Sequence, residues 1–353
     1  RIYFKPFSTL TLHNFAVVEM NGDTTIFSKK LDANLNLLDV FKNKVTVEKI
    51  SLNGAYVNYQ IYKDSSNFTK YIAYFSPAQP QPPSQKKKLD LKLGTIELIN
   101  NTLKVQNHAN AYSHPGINFS DLYITELSAH VDNIQTVSTK TSAHISKLSL
   151  KEKSGFILRE LTTKASFDKQ EMKFEELLIH TNQSTLRDYV AFAYQDIKDF
   201  TSFLTDVNIT ADLSDSYVDS RDIEYFAPSM RTVQFVTTMK RAQLTGTVAD
   251  IKAQHVELQT GKETHLISNF TIKGLPDIDR TIFDFDIQKL TTSGEDIEYF
   301  VPKLANRNNL KLPVQLHRLK ALSYAGSYKG LYNDFTTKGV LHTDAGSLQT
   351  DAH

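Results

Sequence analysis

Most of this chain alternates between apolar and polar residues with a period of two. KLDANLNLLDV puts Leu31, Ala33, Leu35 and Leu37 on one side, KKLDLKLG does so with Leu89, Leu91 and Leu93, and FDFDIQKL with Phe283, Phe285 and Ile287. Successive Cβ atoms of a strand point to opposite faces, so this pattern predicts strands with one apolar and one wet face. Asn, Asp, Gly and Ser separate the runs, which predicts many antiparallel strands and little helix. The main helical alternative is STLRDYVAFAYQDIKDFTSFL, with a stripe at Leu186, Val190, Ala193, Ile197 and Phe200. Its competing alternation at Val190, Phe192 and Tyr194 favours a strand followed by an irregular turn.

The alternation also repeats. VTVEKISLNGAYVNY and LKLGTIELINNTLKV match 46 residues apart, pairing Val45 with Leu91, Val47 with Leu93, Ile50 with Ile96, Leu52 with Leu98, Val57 with Leu103 and Tyr59 with Val105. A weaker third copy, AHISKLSLKEKSGFIL, keeps Ala143, Ile145, Leu148 and Leu150 in frame and slips by one at Phe156 and Leu158. The shared pattern reads strand, short irregularity, strand, turn, strand. Tight hairpin turns are expected at Asn53-Gly54, Asn100-Asn101 and Ser154-Gly155, residue types that tolerate positive φ. Each triplet is expected to change face at its irregularity, which would leave some of the twelve apolar positions in a core. A later repeat aligns Gly246 with Gly326 and Ile251 with Leu331, 80 residues apart.

A third regularity is Ile-x-Tyr-Phe-x-Pro, written three times: Ile72, Tyr74, Phe75, Pro77; Ile223, Tyr225, Phe226, Pro228; and Ile297, Tyr299, Phe300, Pro302. Asp219 with Asp222 and Ser293 with Asp296 have capping-box spacing, and Asn67 can cap the first copy. The proline forbids continuation of a helix. Each copy therefore reads as one capped helical turn at a sheet edge, its Ile, Tyr and Phe plugging the gap between β units. This is structural punctuation in a repetitive protein. The Pro/Lys-rich loop 76–88 is an exposed, extended segment in which Lys86, Lys87 and Lys88 read as a solvated charge run.

Composition narrows the function. Of 353 residues, 40% are apolar and 22% charged, an ordered chain, and 40 basic residues against 39 acidic argue against a nucleic-acid partner. There is no cysteine, which excludes disulfides and thiolate metal sites and fits an oxidising compartment. No apolar run approaches the roughly 18 residues of a membrane span, and no signal peptide is visible. The abrupt opening RIYFKPFSTLTL and the ending GSLQTDAH read as the ends of a piece of something longer. None of the 11 histidines lies in a metal-ligand pattern, and nucleophile-elbow and phosphate-loop motifs are absent. The acidic clusters Asp212, Asp215, Asp219, Asp222 and Asp277, Asp279, Asp284, Asp286 place no pair of groups for a division of labour. Neither enzyme activity, nor a metal, nor a cofactor is expected.

VTVEKISLNGAYVNYQIYKDSSNFTKYIAYF resembles the N-terminal units of AsmA-like proteins, particularly the TamB branch. The opening segment from RIYFKPFSTL to VTVEKI, SGFILRELTTKASFDKQEMKFEELLIHTNQSTL and DIEYFVP look like the Bacteroidota type. The resemblance covers nearly the whole chain through patterns of moderate specificity. The family's N-terminal transmembrane helix and C-terminal barrel-facing domain would lie outside this piece. The resemblance implies an elongated, curled antiparallel sheet, a β-taco, with an open apolar groove and short helical turns at unit boundaries. It implies units at 1–88, 89–230 and 231–353. It implies phospholipid as ligand, a TamA-like outer-membrane barrel as partner, anchorage in the inner membrane, and a periplasmic location. The groove-lining positions would be the twelve paired residues from Val45 to Val105. The alternatives are a β-solenoid scaffold or adhesin that binds protein without lipid, and a carbohydrate-active β-helix enzyme.

Overall fold

The computed structural model describes residues 2–5, 9–19, 22–36, 44–69, 90–109, 116–228, 234–304 and 319–352. The fold is all-β with a few short helices, as the alternation predicts. The chain divides into two units, Arg1–Lys164 and Ala165–His353.

In the first unit, strands follow one another in chain order: β1 (Ile2–Lys5), β2 (Thr9–Val18), β3 (Thr24–Asn36), β4 (Lys44–Ile61), β5 (Asp90–Asn107), β6 (Asp121–Val137) and β7 (Lys140–Glu152). Each is hydrogen-bonded to the next, antiparallel except for β4 and β5, which run parallel. The 46-residue repeat is this parallel pairing. Val45 lies opposite Leu91, Val47 opposite Leu93, Ile50 opposite Ile96, Leu52 opposite Leu98, Val57 opposite Leu103 and Tyr59 opposite Val105.

The expected hairpin turns at Asn53-Gly54 and Asn100-Asn101 do not form. Both pairs lie inside continuous strands of 18 residues. Gly54 and Asn100 do adopt left-handed backbone, with φ of +58° and +51°, but as neighbouring irregularities of two parallel strands that deviate together. Close approach shows elsewhere in the pair too: a Cβ on Gly94 would lie 2.4 Å from the Glu48 carbonyl oxygen. Ser154-Gly155 does make a turn, after β7, with Gly155 at φ +99° and its N–H donating to the Glu152 carbonyl at 2.9 Å. The third repeat copy slips in frame because β7 pairs antiparallel with β6 and is not a third parallel strand.

Register turns the alternation into rows that cross the sheet. Leu12, Leu31, Leu52, Leu98, Ala129 and Leu148 are successive partners from β2 to β7, and so are Leu10, Ala33, Ile50, Ile96, Val131 and Ile145. Between these rows runs a polar one, Thr11, Asp32, Ser51, Glu97, His130 and Lys147, on the opposite face by the pleat. Its members bond to one another and to neighbours: Thr11 donates to Asp32 at 2.7 Å, Ser51 to Glu97 at 2.9 Å, and Lys49 pairs with Glu97 at 2.8 Å.

The strand β8 (Ile157–Phe167) contains the boundary between the units. In the second unit β9 (Glu171–His180), β10 (Thr185–Ala193), β11 (Asn208–Asp219), β12 (Val236–Gly246), β13 (Asp250–Thr260), β14 (Thr264–Lys273), β15 (Ile282–Thr292), β16 (Leu322–Gly330), β17 (Phe335–Thr343) and β18 (Gly346–Ala352) form an antiparallel run. Here Phe174, Val190, Ala211, Leu244, Ala253, Phe270, Phe285 and Tyr328 are successive partners. STLRDYVAFA is a strand as expected, but the segment after it is ordered. A 3-10 turn, Ile197–Ser202, starts on an Asp196 capping box and runs into the helical turn Phe203–Asp206. Phe200 and Phe203 lie 6.2 and 5.8 Å from Phe192. The 80-residue alignment also changes. Gly246 corresponds to Gly330, because both end a strand at positive φ with the carbonyl of Asp250 or Asp334 against the missing Cβ, whereas Gly326 sits mid-strand opposite Gly339.

Left-handed residues interrupt many strands: Asn14, Gly54, Asn100 and Glu126 in the first unit, and Glu176, Asp188, Asp215 and His255 in the second. A bulge adds one residue to a strand and so shifts its parity. Ala253 and Val256, on either side of His255, belong to one core with Ala242, Met239, Leu244, Leu258 and Phe270. The bulge at His255 therefore keeps the apolar face continuous through a change of parity. By the same geometry Val47 and Ile50 share a face, since Leu35 pairs with Val47, Asn34 with Lys49, and Glu48 is the extra residue.

Backbone groups displaced from the ladder need other partners. Asn101 accepts from the Ala55 N–H at 2.7 Å, Ser128 from Asn100 at 3.0 Å, Ser216 from Arg187 at 3.0 Å and Asn269 from His255 at 2.8 Å. This explains why Asn101 and Ser216 are buried in an apolar setting.

Because the chain has no native cysteine, the parallel register is open to a clean test. Asn53 and Ile99 are exposed Cα partners. The Asn53→Cys, Ile99→Cys double variant should form an intramolecular disulfide on mild oxidation, visible as a mobility shift reversed by reductant. A hairpin at Asn53-Gly54 would leave the two thiols uncoupled.

Candidate functional site

The largest chemical feature of the first unit is the apolar face carried by its rows. Val47 is buried, whereas Ile50, Leu52, Val57, Tyr59, Leu93, Ile96, Leu98, Leu103 and Val105 are half-buried. Val45 and Leu91 occupy their expected register positions, and their side chains lie outside the described residues. Leu52 and Leu98 sit on strands flanked on both sides, so their remaining exposure is through the sheet face and not an edge. Among the described residues of this unit, close backbone approach is extensive only between neighbouring strands, and the side chains of the two apolar rows, Ala129 apart, stay partly exposed. A sheet whose apolar face lacks a covering layer presents a surface for something else.

One end of the face is closed from within. Phe68 packs edge-on against Tyr59 at 5.5 Å. Asn67, expected to cap a helix, donates from Nδ2 to the Asn58 carbonyl at 2.7 Å and accepts from the Gln60 N–H at 2.9 Å. Asn67 thus ties the chain leaving β4 back onto that strand. Sequence spacing misses the row members Leu10 and Leu12 on β2 and Ala129 and Val131 on β6, whereas Ile145 and Leu148 on β7, part of the third repeat copy, join the rows in an antiparallel strand. Each alternates locally, but only pairing aligns them.

Of the punctuation motifs, Ile72, Tyr74, Phe75 and Pro77 lie outside the described residues, as does loop 76–88 with Lys86, Lys87 and Lys88. The second copy is one helical turn, Ser220–Ile223. The third is longer than expected: Gly294–Leu304 spans 11 residues with Pro302 inside. A proline removes one N–H and does not prevent the next residues from bonding to the preceding turn. The aromatic members are not plugs. Phe226 is 52% and Tyr299 40% exposed, while Ile223, Tyr225, Pro228, Ile297, Phe300 and Pro302 are half-buried.

The buried members are the acids that precede the aromatics. Asp219, Asp222, Ser293 and Asp296 are all buried. Asp219 and Ser293 cap the helices, accepting from Arg221 and Asp296 N–H at 3.0 and 3.2 Å. Asp222 and Asp296 do not complete a capping box but reach the turn of a neighbouring hairpin. Asp222 accepts from Thr181 Oγ1 and from the Gln183 N–H, the latter at 2.9 Å, in the β9–β10 turn. Asp296 accepts from the Lys262 N–H at 3.0 Å, the Glu263 N–H at 2.8 Å and Thr264 Oγ1 at 2.8 Å in the β13–β14 turn. The motif is a carboxylate staple between a strand's end and the hairpin before it. Burial pushes the Asp296 carboxyl up, and the Lys262, Glu263 and Thr264 bonds outweigh burial, so it lies below the usual carboxylate range. Beside Asp219, the Arg221 guanidinium lowers that carboxyl against the opposing effect of burial.

The other acids also have local partners. Asp212 accepts from Gln243 at 3.2 Å, Asp284 pairs with Lys329 at 2.9 Å, and Asp277 lies 3.7 Å from Arg280. Among the described residues no His or acid cluster has the arrangement of a metal site, and no helix is long and apolar enough to cross a membrane.

Comparison with known proteins gives no matching family model, no matching curated protein and no matching solved structure.

Asp296→Ala removes a buried charged acceptor from three hydrogen bonds and should destabilise the chain by about 1.5–3 kcal/mol at neutral pH in urea unfolding. Since Asp296 titrates below its unfolded value, its contribution is present above about pH 3.9 and is lost as pH falls through the lower folded value. The gap between variant and native chain should close over that acidic window. A gap that widens on acidification contradicts the staple.

Proposed function

We propose that the apolar face of the first unit holds acyl chains. In this reading the chain is part of a TamB/AsmA-like protein in the periplasm, anchored in the inner membrane, that conducts phospholipid between the two membranes or supports outer-membrane protein assembly with a TamA-like barrel. The observation that carries the proposal is the pair of apolar rows running unbroken from β2 to β7, whose side chains, Ala129 apart, stay partly exposed.

The energetics favour such a surface. Taking an acyl chain through water costs about 0.8 kcal/mol per CH₂, and a continuous apolar face removes much of that cost at every point of the path. A face open on one side lets a charged head group remain hydrated, avoiding the penalty of burying it. Successive members of a row are ~4.8 Å apart from strand to strand, so a sliding chain meets apolar atoms without interruption. No covalent step is required of any residue.

The test is native mass spectrometry of the purified chain for bound phospholipid, combined with thermal melting. Leu98→Asp places a carboxylate in the middle of a row at a cost of several kcal/mol to a passing acyl chain, and should abolish lipid retention while the chain still melts cooperatively. Lys147→Asp, in the polar row, should retain lipid. Outright unfolding of Leu98→Asp would identify a closed core, and normal retention by both variants would place the lipid path elsewhere.

A further inference from the structure

A second feature lies in the second unit, between the last two punctuation motifs. A cavity of about 430 Å³ opens where the end of β11 faces the Gly294–Leu304 helix. Phe235, Val236 and Phe300 supply apolar walls, Arg221 and Lys262 positive charge, and Glu295 with the buried Asp219 and Asp296 negative charge, the last two already engaged by Arg221 and by the Lys262–Thr264 turn. Its volume is in the range of small-molecule sites, which combine mainly apolar walls with a few polar groups.

The charged groups differ in how firmly they are held. Arg221 donates from Nε to the buried Asp219 carboxylate at 2.9 Å and through Nη2 to Asp219 and Gln183. Among the described residues its Nη1 has no partner, so a fixed guanidinium retains two uncommitted donors. Lys262 and Glu295 pair only with each other through their side chains, and the two side chains are 70% and 68% exposed. Such a pair is weak and opens readily. Tyr299 stands beside them with its hydroxyl donated to the Gln234 carbonyl at 2.6 Å and Lys303 over its ring.

This arrangement selects on charge. An anion that takes Lys262 returns Glu295 to water, and a cation that takes Glu295 returns Lys262 to water, so each breaks the pair for a single new contact. A ligand carrying both charges replaces the pair without leaving either side chain uncompensated. Its anion meets Lys262 and the Arg221 Nη1 donors, and its cation meets Glu295. We propose that this cavity binds a small zwitterion with an apolar body, of the phosphate–ammonium type. The same chemistry occurs in a free solute and in the head of an amphiphile. The site is independent of the acyl-binding face proposed above.

The test is calorimetric titration of the full chain with an alkyl phosphocholine below its micellar concentration, and with the alkyl sulfate and alkyltrimethylammonium of the same chain length. The zwitterion should bind at least about tenfold tighter than either singly charged probe. Glu295→Gln should abolish its advantage over the sulfate, and Lys262→Gln its advantage over the trimethylammonium. Both substitutions are at exposed side chains, and melting curves confirm that each variant folds. Equal affinity for free phosphocholine supports the site with a soluble zwitterion as occupant, whereas binding only with the alkyl chain attached supports it with an amphiphile. Three probes binding alike, or a preference that survives both substitutions, overturns the proposal. So does loss of the zwitterion's preference in Leu98→Asp, which would move the probe onto the first unit's face whether or not that face carries lipid.

Discussion

The first unit depends on the parallel pairing of β4 with β5. Parallel strands cannot be joined by a tight turn, so a hairpin between β4 and β5 is excluded. That pairing places two copies of one apolar pattern side by side in the same direction. Every row that crosses the unit passes through it. A one-residue slip would exchange the faces of β5 and join apolar positions to the Asp32–Ser51–Glu97 polar row. The Ser51–Glu97 and Lys49–Glu97 contacts hold the polar side of the register, while Val47, Ile50 and Leu52 against Leu93, Ile96 and Leu98 hold the apolar side.

The second constraint is set by the irregularities. Long strands twist and bend, and a bulge gives the backbone a place to do so. The cost is a set of N–H groups removed from the ladder. In both units short polar side chains meet it from the neighbouring strand: Asn101 and Ser128 in one, Ser216 and Asn269 in the other. These four side chains therefore mend the backbone where the ladder is interrupted. They let strands change parity without turning apolar side chains toward water, as Ala253 and Val256 demonstrate around His255.

The carboxylate staples work at the strand ends. Asp222 and Asp296 each cross from the start of a helix to a hairpin turn whose amides would otherwise point into solvent or an unfilled space. Stapling orders the turn, orders the helix, and leaves the aromatic residues after the acid partly exposed. The cavity beneath Tyr299 and Phe300 arises from the recurrence of this device, because its walls come from two successive copies.

The strand content, the alternating faces and the 46-residue correspondence are all legible in the sequence, since each is a local consequence of side chains pointing alternately up and down. The Asp and Ser positions ahead of each helix are legible as caps for the same local reason. The direction of β5 relative to β4 is not, because a repeat of period two fits parallel and antiparallel neighbours equally well. Nor is the role of Asn53-Gly54, since left-handed backbone serves a hairpin and a bulge alike. Spacing alone makes Asp222 and Asp296 partners of their own helices, whereas Asp222 Oδ2 and both Asp296 oxygens accept from turns, with the Gln183 and Lys262 amides 39 and 34 residues away. Those outcomes are decided by which backbone donors the folded chain brings within about 3 Å of a carboxylate, and only the tertiary structure determines that.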